Sequence, residues 1–321
     1  MVSIALVVVV ILGAAMKNKA HGKGELSIQN LSEDIKDQLH ELKRSLLDKE
    51  QVKAFDKAEK KAQKQKQDEA EKGNLFVLDF NGDIQASQTE SLREEISAII
   101  SIAKPNDEVL INLESPGGMV HGYGLAASQI SRLKDAKIHT TVSVDKVAAS
   151  GGYMMACVAD KIISAPFAVI GSIGVVAQLP NINKLLKKND IEVEQHTAGE
   201  YKRTLTVIGE NTEEGRTKFK EELEETHVLF KDFVSEYRAD LDIEKVATGE
   251  SWYGKQALDL GLVDQIQTSD DFILQQLDSK TLFKIEYKIK KNVAEKLGIA
   301  SATVLSNLWT KLAGLALTNN K

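Results

Sequence analysis

From Leu75 onward the chain repeats one unit, a short apolar run followed by an amphipathic stretch, and that alternation commits it to an α/β fold. Residues 75–80 predict a first strand. Leu92, Ile96, Ile99, Ile100 and Ala103 recur at helical spacing, Pro105 ends that helix, and residues 108–113 predict a second strand. Residues 121–133 read as a helix with Leu125, Ala126, Ile130 and Leu133 inward. Residues 138–144 predict a β-branched strand leading to Ser150, and residues 161–165 another strand. Units of about 30 residues are too long for hairpins, so the strands must lie parallel, joined by crossover helices. Asn211 with Glu214 reads as a capping box for a long helix over residues 212–237, with Leu223, His227, Phe230, Phe233 and Val234 on its apolar side.

With 42% hydrophobic residues among 321, the chain can bury a sizeable core. A net charge of -6 offers no basic surface, so nucleic acid is not an expected partner. Cys157 is the single cysteine, has no intrachain partner, and reads as a buried, inert thiol.

The two ends differ from the middle. Residues 2–16 are almost wholly apolar, short of the ~20 that a spanning helix needs, and are followed by Lys17, Lys19 and Lys23. Residues 1–17 therefore read as a membrane anchor, and the lysines behind it would by themselves keep the remainder in the cytoplasm. Residues 18–73, dense in Lys, Glu, Asp and Gln, read as a charged helical spacer. A domain over residues 74–280 follows, and then a tail over 281–321. In that tail Leu297, Val304, Leu305, Leu308, Trp309, Leu312 and Leu315 predict an amphipathic helix suited to packing or subunit contact.

Three glycine-rich turns punctuate the domain: Ser115-Pro116-Gly117-Gly118, Ala149-Ser150-Gly151-Gly152 and Gly171-Ser172-Ile173-Gly174. Glycines let backbone approach a substrate and aim N–H groups at it, as an oxyanion hole requires; Gly117 and Gly151 are the candidate donors. Ser150 is a candidate nucleophile, and a serine hydroxyl needs a base within reach. No histidine stands between Gly151 and Gln195. Lys202 can serve if burial keeps its amine neutral. Taken singly, these residues have plainer readings. Ser150 suits a helix N-cap, Lys202 a surface charge, Ser115 a turn, Lys146 a solvated loop, and Trp252 and Tyr253 packing under a loop.

The three turns stand in order with Gly-Glu-Tyr-Lys (199–202), Thr-Gly-Glu-Ser-Trp-Tyr-Gly-Lys-Gln-Ala (248–257) and Gly-Leu-Val-Asp (261–264). Over residues 75–266 this series resembles the signal peptide peptidase A family. The resemblance implies a ClpP/crotonase-like fold and a membrane-anchored serine endopeptidase working through a Ser-Lys dyad, without metal or organic cofactor. Carried over, Ser150 is the nucleophile, Lys202 the general base, Ser172 the hydroxyl that orients the lysine amine, and Gly117 and Gly151 the oxyanion hole. It further implies a single-pass protein of the bacterial inner membrane with a periplasmic catalytic domain, a homo-oligomer, and peptide or protein substrates such as signal-peptide remnants or membrane-associated polypeptides. The alternatives are a crotonase-type acyl-CoA enzyme, which has no use for an acyl-forming serine, and a non-catalytic membrane scaffold.

Overall fold

Residues 75–80 and 108–113 carry apolar side chains almost without interruption, and strands of that kind are stable only where both sheet faces are covered. In the computed structural model, which describes residues 24–48, 50–57 and 72–289, they form the middle of a parallel sheet. The elements run β1 (Glu25–Asn30), α1 (Leu31–Ser45), β2 (Asn74–Asn81), α2 (Thr89–Ile102), β3 (Glu108–Glu114), α3 (Val120–Asp135), β4 (His139–Val144), β5 (Val147–Ala149) and α4 (Gly151–Ala156). They continue with β6 (Lys161–Ser164), β7 (Val169–Gly171), α5 (Asn183–Lys188), α6 (Glu213–Tyr237), α7 (Ile243–Val246), β8 (Ser251–Tyr253), α8 (Gly254–Asp259), β9 (Gln265–Ile266), α9 (Ser269–Gln276) and β10 (Thr281–Lys288).

The main sheet has the order β1-β10-β2-β3-β4-β6-β9, and every pairing from β10 to β9 is parallel. Side-chain alternation sorts its two faces. Phe76, Leu78 and Phe80 with Val109, Ile111 and Leu113 enter the larger core, beside Leu92, Ile96 and Ile99 of α2 and Tyr123, Ala126 and Ile130 of α3. Leu75, Val77 and Leu110 meet Phe272, Leu277 and Leu282 on the other face.

Of the two compact units, one, residues 28–286, holds all of the site discussed below, and the other takes in the described residues 24–27 and 287–289. In the second, Gly24 N–H donates to Tyr287 Oη at 2.9 Å.

Several expectations change. The strand read over 138–144 does not run on to Ser150: it breaks at Asp145 and Lys146, and residues 147–149 join a second, three-stranded sheet, β5-β7-β8. Asp145 makes the break by turning to α9, where its carboxylate accepts from the Ser269 N–H at 3.0 Å and from the Ser269 hydroxyl. Leu125 is exposed, because the buried stripe of α3 runs through Tyr123, Ala126, Ala127, Ile130 and Leu133. The cap of α6 is Thr212, whose hydroxyl accepts from Gly215 N–H at 3.0 Å, while Asn211 Oδ1 is taken by Thr206 N–H at 2.8 Å.

The spacer is not wholly solvated: residues 25–30 form a strand, Leu31 and Ile35 pack on the sheet, and the Ser32 hydroxyl accepts from Leu282 N–H. Residues 281–288, assigned to the tail, are a strand of the sheet. The anchor at 1–17 and the amphipathic stretch at 297–315 lie outside the described residues. Among the described residues no helix is long and apolar enough to cross a membrane. Cys157 is buried as expected, and burial holds its thiol well above the ordinary range.

Candidate active site

The small sheet gathers the motifs. β5 pairs in parallel with β7, Ala149 opposite Gly171, so Ser150 and Ser172 follow directly on adjacent strand ends, and Ser150 N–H donates to Gly171 O at 2.8 Å. β7 pairs with β8, which sets Trp252 opposite Ile170. Trp252 packs against the core as expected, while Tyr253 is exposed and meets the Phe167 ring edge-on. The Ser-Pro-Gly-Gly turn is tied to the same strand, since Ser115 N–H donates to Val147 O at 2.8 Å and Ala149 N–H to Ser115 O at 3.0 Å.

Ser150 does not cap its helix. It occupies the N-cap position of α4 with φ 53 and ψ -119, and its side chain makes no capping hydrogen bond. A left-handed φ in a residue with a Cβ costs roughly 1–3 kcal/mol and persists only where the surroundings impose it. Here the imposing contacts are the β5–β7 pairing before the turn and the close packing after it. The result is a half-buried hydroxyl, without a hydrogen-bond partner among the described residues, at the mouth of a cavity of about 70 Å³. Gly118, Gly151, Met154, Gly174, Val175 and Phe230 line that cavity with it.

Gly151 must be glycine. A Cβ there would strike Cγ of the buried Tyr123 ring, and one on Gly117 would lie 2.8 Å from Ser150 Cβ. Gly151→Ala is therefore expected to cost about 1–3 kcal/mol and to displace the nucleophile turn. An unchanged denaturation midpoint and activity would mean that the ring does not support this turn.

The N–H groups differ from expectation. Gly117 N–H donates to the Ser115 hydroxyl at 3.1 Å and is not free, whereas the next residue, Gly118, lines the cavity and has no acceptor among the described residues. Gly151, as the first residue of α4, has no intrahelical acceptor for its N–H. Ser172 has φ 51, and its N–H is held by Glu250 O at 2.6 Å.

Lys202 departs furthest from the sequence reading. Its side chain is exposed, in a turn where its own N–H donates to Gly199 O at 3.2 Å, and among the described residues no hydrogen bond joins its amine to Ser150 or Ser172. The structure thus brings Ser150, Gly151, Gly117 and Ser172 together and leaves the lysine at the surface of the single chain. His139 and His196 are exposed beside Asp160 and Glu194, and His227 Nε2 lies 3.3 Å from Ile173 O, so none of them stands in as base. Lys146 is a solvated loop charge as read, its side chain 72% exposed, and it pairs with Glu114 at 2.8 Å. Two residues escaped the sequence reading. Ser115 is fully buried rather than a simple turn residue, and Tyr123 beneath the nucleophile turn carries no motif.

A serine on a strained strand-to-helix turn, set among glycine amides at the end of a parallel strand pair, belongs to the α/β serine hydrolases. Residues 1–130 match Peptidase family S49 N-terminal and residues 132–282 match Peptidase family S49. The chain is 55% identical to Probable protease SohB of Haemophilus influenzae over 312 residues, covering 92% of this chain and 88% of that one. It is 59% identical to Probable protease SohB of Buchnera aphidicola subsp. Acyrthosiphon pisum over 237 residues, 74% of this chain and 70% of that one. A solved structure of a lysine-to-alanine mutant of the 1510-N membrane-bound stomatin-specific protease, in complex with a substrate peptide, is 14% identical. It has a TM-score of 0.44 and covers 71% of this chain and 97% of that one. The chain belongs to peptidase family S49, as a SohB-like serine peptidase. The acyl-CoA alternative is thereby replaced by peptide hydrolysis.

Proposed function

We propose that the chain is a membrane-anchored endopeptidase in which Ser150 is the acyl-forming nucleophile and Lys202 its general base. The observation that carries this reading is the Ser150 turn: a hydroxyl held in an unfavourable backbone conformation, unused for capping, beside unpaired N–H groups and a cavity. Neutral Lys202 Nζ takes the hydroxyl proton as the Ser150 Oγ–carbon bond forms. N–H groups of Gly151 and of the Gly117–Gly118 step hold the oxyanion. The ammonium then returns the proton to the leaving amine as the carbon–nitrogen bond breaks, and water repeats the sequence to free the acyl group.

In the single chain Lys202 is exposed, and a lysine acts as base only when its amine is kept neutral. The bodies that would cover it are the bound peptide and a second copy of the chain, in keeping with a homo-oligomer. Ser172, one strand from Ser150, is the proposed hydroxyl partner of the amine. The cavity walls, Met154, Val175 and Phe230, are apolar, which fits an extended peptide with small or apolar side chains, such as a signal-peptide remnant or a membrane-associated polypeptide.

Residues 1–17 would form the anchor in the bacterial inner membrane, with the catalytic domain on the periplasmic side. One experiment tests nucleophile and topology together: a membrane-impermeant fluorophosphonate applied to spheroplasts is expected to label Ser150 of the full chain. Labelling only after permeabilisation would put the domain in the cytoplasm. Labelling of another residue would remove Ser150 from the mechanism.

A further inference from the structure

A buried chain of hydroxyls runs beneath both candidate oxyanion donors. Tyr123 Oη donates to Asp83 O at 2.8 Å and lies 2.6 Å from Ser115 Oγ, which in turn accepts from Gly117 N–H at 3.1 Å. The direction follows from the last acceptor. A carbonyl only accepts, so the single phenolic proton is committed to Asp83 O. Ser115 must then donate to Tyr123 and present a lone pair to Gly117. Burial holds the phenol above its ordinary value, offset in part by the Ser115 hydrogen bond, so it stays a donor throughout the neutral range.

Both ends of this chain are fixed. At one end the Asp83 carboxylate accepts from Gln85 N–H, Ser87 N–H and the Ser87 hydroxyl, and Gly82 N–H donates to Glu114 O. At the other, Ser115 is paired with β5 immediately before Ser150. Tyr123 also lies directly under the nucleophile turn, since any Cβ on Gly151 would strike its ring. One side chain therefore touches the supports of both halves of the oxyanion site. Its ring backs Gly151, and its hydroxyl, through Ser115, holds the Pro116–Gly117 peptide plane, one peptide unit before the Gly118 N–H.

We propose that Tyr123 and Ser115 are positioning residues for peptide hydrolysis: by engaging Gly117 N–H they orient the Ser-Pro-Gly-Gly turn so that Gly118 N–H, with Gly151 N–H, faces the developing oxyanion. This rests on Ser150 being the nucleophile. It assigns Gly117 N–H a structural duty and Gly118 N–H the chemical one. Preorganised donors matter only where charge develops, so loosening them lowers turnover and leaves substrate binding unchanged.

The test uses the full chain with an internally quenched peptide of small and apolar residues, a peptide aldehyde whose hemiacetal oxygen occupies the oxyanion site, and a fluorophosphonate. Tyr123→Phe keeps the ring and removes the hydroxyl; Ser115→Ala breaks the same chain from the other side. Each is expected to lower kcat about tenfold to a hundredfold, with KM unchanged and the aldehyde weakened by the same factor. If the fluorophosphonate adduct forms on Ser150 while both variants keep the parent kcat and aldehyde affinity, the positioning role is wrong. It is equally wrong if the variants melt earlier but retain the parent kcat per folded molecule. An adduct on another residue would instead overturn the assignment of Ser150, and this inference with it.

Discussion

Ser150→Ala is expected to reduce kcat/KM for peptide cleavage on the order of 10⁴- to 10⁶-fold while leaving the thermal midpoint where it was. Loss of rate follows because the acyl-enzyme cannot form. The unchanged midpoint follows because the hydroxyl makes no capping hydrogen bond, and alanine bears the same left-handed backbone cost as serine. Ser150→Gly separates the two effects. Glycine takes φ 53 without a steric cost, so this variant should be as inactive as the alanine one yet more stable, by about 1 kcal/mol or more. A midpoint that does not rise in the glycine variant would show that the turn holds no strain. Residual cleavage near the parent rate in either variant would show that another group attacks the peptide. The stability gain on removing the nucleophile is what a functional site imposed on the fold should show, since the local sequence preference and the required geometry disagree there.

That disagreement also explains which parts of the molecule could be read from the sequence. The β2, β3 and β6 segments were legible as short, nearly unbroken apolar runs, and α2 by its 3.6-residue period, so local pattern suffices. The break between β4 and β5 was not. Residues 138–144 and 147–149 are both rich in β-branched or small residues, and the Asp145 between them is held by the distant Ser269. Thr212 and Asn211 are adjacent residues of the same capping chemistry, so the boundary fell one residue early.

Ser115 looked like an ordinary turn residue because its burial comes from pairing with β5, more than 30 residues further on. Tyr123 gave no signal beyond its place on the stripe with Ala126, Ala127 and Ile130, which is a packing pattern. Its role depends on a hydroxyl chain that closes only in the folded state. The candidate nucleophile and its glycines were legible because strained turns need small residues, and small residues are visible in sequence. Lys202 was marked by its place in the Gly-Glu-Tyr-Lys motif, but its exposure in the single chain carries no signal in the sequence.

Lys202→Ala is expected to suppress cleavage by a factor comparable to Ser150→Ala, and Lys202→Arg should do the same despite keeping the positive charge, because guanidinium cannot take a proton from serine. The rate of labelling is the sharper readout: in both lysine variants a fluorophosphonate should acylate Ser150 far more slowly than in the parent, because no amine takes the hydroxyl proton. The exposure of Lys202 in the single chain adds a second expectation. If its amine becomes a base only when covered, fluorophosphonate labelling of Ser150 should depend on protein concentration in detergent, rising as copies associate. Concentration-independent labelling together with the parent labelling rate in Lys202→Arg would place the base elsewhere. The same measurements on Ser172→Ala then tell whether that hydroxyl orients the amine: the loss should appear in kcat with KM unchanged, as expected when a base is misplaced and substrate binding is left intact.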